Sequence, residues 1–147
     1  MAIQKSKEEI LKSLEQIVDN IEQSIQKYMR SFETDISFSN NEELRKKHLS
    51  AYNKFLVILN ARINECDKEI SALSVLICNA DTETENEITE TLVMHFDNYA
   101  VFTRLVSQFI EACNSTFLDK EKRFSPAVIL NFANLLLIET KKYKENI

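Results

Sequence analysis

Apolar residues recur along this chain at helical spacing. Ile10, Leu14, Ile17, Ile21, Ile25, Tyr28 and Phe32 are separated by 4, 3, 4, 4, 3 and 4 positions. Steps of three and four keep them on one seam of a helix over about 6–32. Leu11, Val18 and Met29 widen the seam slightly, and Lys, Glu, Gln and Asp fill the rest. A helix with so narrow an apolar stripe is expected on the outside of a bundle. The turn-forming stretch ETDISFSNN at 33–41 ends it, and Ser39 with Glu42 offers a capping box for the next helix. There Leu44, His48, Tyr52, Phe55, Leu59, Ile63, Cys66, Ile70, Leu73 and Ile77 hold one face from about 41 to 79 without a proline.

The acidic turn NADTETEN follows, where Thr82 with Glu85 and Thr84 with Glu87 are alternative capping boxes. A third helix over 83–118 carries Ile88, Leu92, His95, Phe96, Tyr99, Phe102, Val106, Phe109, Ile110, Cys113 and Phe117. Met94, Val101, Leu105 and Ala112 form a second stripe beside the first, which predicts contact with more than one neighbour. After the charged LDKEKRF, Ser125-Pro126 supplies an N-cap and first-turn pair for a last helix over 126–144. Its VILNFANLLLI core leaves only Asn131 and Asn134 as a polar strip, so it is expected to be surrounded.

An antiparallel turn near Ala80 pairs residues whose numbers sum to about 161. Phe55 then meets Val106, Leu59 meets Phe102, Tyr52 meets Phe109 and Leu73 meets Ile88. The predicted fold is all-α: a single domain over 1–147, an antiparallel four-helix bundle with a long central helical hairpin. The central helices outreach the last one. That predicts either a bend or an overhang packed on a second copy, hence a homodimer.

Composition removes whole classes of function. Glycine is absent and there is one proline, which excludes phosphate loops and dinucleotide fingerprints and disfavours tight β-hairpins. The net charge of −5, with both signs interspersed, argues against a general nucleic-acid binder. Three cysteines form no CxxC pair, so reduced thiols and a cytoplasmic address are expected. The first residues are charged, without the apolar stretch of an export signal, and no run is long enough for a membrane span.

Candidate chemistry is sparse. A di-iron bundle needs Glu-x-x-His, yet Arg45 and Leu92 stand three before His48 and His95. The same neighbourhoods lack the more widely spaced arginine of HEPN ribonucleases. No zinc spacing occurs, and no catalytic group, metal or cofactor is expected. The 161 register does place Cys66 opposite His95 and Cys113 opposite His48, two candidate Cys–His pairs. Their expected role is core packing. Arg45, Lys46 and Lys47, and the acidic run with Asp81, Glu83, Glu85 and Glu87, are candidate partner-binding charges. Phe102, Phe109, Asn131 and Asn134 are a candidate pocket between the last helix and the hairpin. The expectation is a non-enzymatic module that binds another protein, as adaptor, inhibitor or immunity-type factor. A small-molecule sensor using that pocket is the alternative.

Overall fold

Four helices follow one another in the computed structural model: α1 (Lys7–Arg30), α2 (Glu42–Cys78), α3 (Thr82–Leu118) and α4 (Pro126–Glu145). It describes residues 6–32, 42–78, 82–118 and 125–147, with backbone alone at 77, 78 and 82–91. No strand occurs among the described residues. The proposed capping residues around Ser39 and Thr82–Glu87, and the Ile88 pairing, lie outside the described residues or side chains.

Local chemistry sets the ends that are described. Ser6 sits in extended backbone and its hydroxyl oxygen accepts from the Glu9 amide at 3.2 Å. The same hydroxyl donates to Glu9 Oε1, tying the cap residue to the first turn by its side chain. Pro126 occupies the first turn of α4, where its missing N–H costs nothing. Ser125 precedes it in extended backbone, but its side chain makes no cap hydrogen bond and is buried. Ser31 and Asn146 close α1 and α4 in right-handed conformations. No described residue has a positive φ, so these helices stop without the left-handed residue that glycine usually supplies.

The helices run up, down, up and down, and close into a ring in which α4 returns to α1. Three long-range hydrogen bonds fix the α2–α3 register. Tyr52 Oη donates to the Ile110 carbonyl, Tyr99 Oη to the Ile63 carbonyl, and Arg45 Nη1 to the Phe117 carbonyl. Each of these pairs sums to 162. The hairpin predicted from the sequence is therefore present, within one residue of its expected register. Among the described residues it is nevertheless the loosest of the four sides, and α1 against α2 is the most intimate.

Two expectations about position are overturned. α1 is as much part of the core as the other helices: Leu14, Val18, Ile21 and Ile25 are fully buried. α4 is not enclosed. Ile129, Ala133 and Leu136 point inward, whereas Leu135 is 60% and Ile138 42% exposed, with Asn131 and Asn134 on the surface. The reason is the ring. Each helix has two close neighbours and so hides only part of its circumference. The narrow seam of α1 fits within that arc, and the broad apolar face of α4 overruns it.

The second stripe of α3 is likewise not covered by a neighbour along its length, since Met94 and Val101 are about half exposed. Part of the expected overhang is covered within the chain. Ile10 and Leu11 of α1 pack on Leu73, Leu92 and Phe96, forming a small second core at that end.

Candidate functional site

The main core contains two copies of one arrangement. Tyr28 of α1 stacks on Phe55 of α2 with ring centres 4.6 Å apart and planes at 4°. Tyr143 of α4 stacks on Phe102 of α3 at 4.7 Å and 20°. Tyr28 tilts against Tyr52 at 6.5 Å and 47°, and Tyr143 against Tyr99 at 6.2 Å and 42°. Tyr52 Oη donates to the Ile110 carbonyl and to Asn114 Oδ1, while Tyr99 Oη donates to the Ile63 carbonyl and to Asp67 Oδ1. An approximate two-fold axis between α2 and α3, perpendicular to the helices, exchanges the two arrangements. It relates α2 to α3 and α1 to α4.

The signal for this was in the sequence and is missed when each helix is read for its own period. His48, Tyr52, Phe55, Ile63 and Cys66 recur as His95, Tyr99, Phe102, Ile110 and Cys113, each 47 residues later. Leu59 becomes Val106 and Asp67 becomes Asn114 at the same offset. Between α1 and α4 the offset is 115, which takes Tyr28 to Tyr143.

The candidate Cys–His pairs belong to this repeat. Cys113 lies near Tyr28 and Tyr52, and Cys66 near Tyr99 and Tyr143; both cysteines are fully buried. Burial pushes the Cys113 thiol up to about 12. Burial, followed by Asp67, Glu65 and Glu69, does the same to Cys66. Thiols held so high are not nucleophiles at neutral pH. His48 stacks on Phe32 at 4.8 Å and 17°. His95 is buried, and its pKa is lowered by that burial and then by Lys7. No group of three or more His, Cys, Asp or Glu able to hold a metal occurs among the described residues.

The other candidates separate. Arg45 is half-buried and holds the C-terminal carbonyl of Phe117, a structural tie between α2 and α3, while Lys46 and Lys47 are exposed. Asp81 and the side chains of Glu83, Glu85 and Glu87 lie outside what is described. Of the four proposed pocket residues, Phe109 alone lines a groove between α3 and α4. That groove, about 270 Å³, is walled by Leu105 and Ala112 on one side and Phe132, Leu135 and Leu136 on the other. Phe102 is buried under Tyr143.

The pseudo-symmetry makes the surface informative, because each position on one face has an equivalent on the other. On α3 and α4, Val101, Phe109, Ala112, Leu135 and Ile138 form an apolar face, with all but Phe109 partly or largely exposed. Their equivalents on α2 and α1 are Lys54, Arg62, Glu65, Asn20 and Gln23. Arg62 and Glu65 form an ion pair at 2.7 Å where the other face has Phe109 and Ala112. The α1–α2 side thus shows that the shared core tolerates polar residues at these places. The groove on this side, about 280 Å³, lies at a different level, between Tyr28 and Phe55, and has Lys27 and Lys54 at its edges.

No family model, curated protein or solved structure matches the chain. No helix among the described residues is long and apolar enough to cross a membrane.

Proposed function

We propose that this protein is a non-enzymatic helical interaction module whose docking face is the outer surface of α3 and α4. The observation that carries this reading is the contrast at five equivalent positions, polar on α1–α2 (Lys54, Arg62, Glu65, Asn20, Gln23) and apolar on α3–α4 (Val101, Phe109, Ala112, Leu135, Ile138). Exposed Leu135 and Ile138, with half-exposed Val101, leave apolar surface in water that the fold does not require. The first occupant of this face is a second copy of the chain. Two helices laid side by side present a broad surface, suited to the same surface of a partner in a two-fold dimer. Such a dimer suits an adaptor, inhibitor or immunity-type role.

Light scattering tests the reading. The wild-type protein is expected at twice the 17.1 kDa chain mass, and Leu135→Asp with Ile138→Asp at the single-chain mass, still cooperatively folded, with a melting temperature that no longer depends on concentration. A wild-type mass of one chain at every concentration rejects the dimer. The groove beside Phe109 also keeps a second reading in play, a small-molecule sensor. A molecule that co-purifies, and is released by Ala112→Phe, would favour it.

A further inference from the structure

The other face carries an independent signal. From Gln23 to Phe32 and from Leu44 to Asn64 the chain has no carboxylate, although it carries a net charge of −5. Those two segments contribute Lys27, Arg30, Arg45, Lys46, Lys47, Lys54 and Arg62. Within them lies the α1–α2 groove. Its floor is apolar, made by Tyr28, Ala51, Phe55 and Ile58, and Lys27 stands on one wall with Lys54 on the other.

The pseudo-two-fold shows what a neutralised version looks like. The equivalent of Lys27 is Lys142, which is ion-paired with Glu139 at 3.4 Å. The equivalent of Glu139 on α1 is Ser24, and the equivalent of Lys54 is Val101. The positions lining the α1–α2 groove therefore carry one cation more than their equivalents on α3 and α4, and lack the counter-carboxylate. Among the described residues neither Lys27 nor Lys54 has an acidic partner.

We propose that the groove between α1 and α2 binds a small anionic amphiphile, a fatty carboxylate of medium length, with its chain on Tyr28, Ala51, Phe55 and Ile58 and its carboxylate between Lys27 and Lys54. The two serines of the groove are not the donors. Ser24 Oγ already donates to the Asn20 carbonyl and Ser31 Oγ to the Tyr28 carbonyl. That leaves the two ammonium groups to hold the anion, in charge-assisted hydrogen bonds beside an apolar wall. A volume of about 280 Å³ suits one short chain, at the lower end of the roughly 300–1,000 Å³ of ligand sites. This site does not depend on the docking face.

Calorimetric titration with monomeric decanoate tests it on the intact chain. One decanoate per chain is expected. Lys27→Glu with Lys54→Glu should weaken binding by roughly tenfold or more, as loss of charge-assisted bonds does. Ser24→Glu introduces the carboxylate that Glu139 provides at the equivalent position and should weaken binding while leaving the melting temperature unchanged. Lys68→Glu with Lys141→Glu, the same change in charge on exposed lysines elsewhere, should bind as wild type. The proposal is overturned if decanoate does not bind, or if the Lys27/Lys54 variant binds it normally. It is equally overturned if both double variants lose binding alike, or if anionic vesicles capture a protein that ignores monomeric decanoate.

Discussion

Tyr28 and Tyr143 bury their hydroxyls without a hydrogen-bond partner among the described residues, whereas Tyr52 and Tyr99 donate theirs across the hairpin. Removing an unsatisfied buried hydroxyl and removing a satisfied one have opposite signs. Tyr28→Phe and Tyr143→Phe are expected to stabilise by about 1 kcal/mol, a rise of roughly 2–4 °C in a chain of this size. Tyr52→Phe and Tyr99→Phe are expected to destabilise by a similar amount, leaving Asn114 and Asp67 without their donor. Thermal melts of the four variants check both signs at once.

The buried histidine gives a pH dependence. Burial and then Lys7 hold His95 below its ordinary 6.5, so the unfolded chain takes up the proton first. Its contribution to stability is fully present above that unfolded value and is lost as pH falls through the folded one. Melting temperature should drop between about pH 7.5 and 5.5, and drop less in His95→Gln. The thiols stand at the other extreme. Cys66 and Cys113 should resist iodoacetamide at neutral pH until denaturant is added, and rapid native labelling would contradict their burial.

Helix by helix, most of the architecture was legible. Ser125-Pro126 marks the start of α4, and the three-and-four spacing of α1 from Ile10 to Tyr28 gives a helix because that period is a local property. How much of each helix is covered was not legible. α1 was expected outside and α4 inside, but burial is decided by how much of each circumference its neighbours cover. α1 is further held by Lys144 of α4, which donates to Asp19 and to the buried Glu22. Truncation tests this: Ile21→Ala in α1 should cost about 2–5 kcal/mol. Leu135→Asn in α4, though it removes a leucine, should stay within about 0.5 kcal/mol of the wild type when both are measured as dissociated single chains. Chemical denaturation of the two variants separates them.

For the whole molecule, the pseudo-two-fold predicts that the apolar face can be transplanted. Asn20→Leu, Gln23→Ile, Lys54→Val, Arg62→Phe and Glu65→Ala together give α1–α2 the surface of α3–α4 on a core that already supports it. A chain with one docking face closes as a dimer, and a chain with two grows into open assemblies. Light scattering should therefore find species larger than a dimer in this variant, and a species no larger than wild type would contradict the equivalence of the faces. Of the candidate functional residues, the tyrosine and cysteine clusters were readable as a repeat at 47 residues. The grooves were not, since each is formed by side chains from two helices whose relative rotation no single period contains.

Sequence alone determined that this chain is helical, where its helices begin and end, and how α2 and α3 align, because spacing, caps and a single reversal act over short distances. Tertiary structure decided how much of each helix is covered, that the bundle is nearly two-fold within, and that its two faces differ in water. Those properties depend on which arcs of four helices face one another, a relation set by closure of the ring.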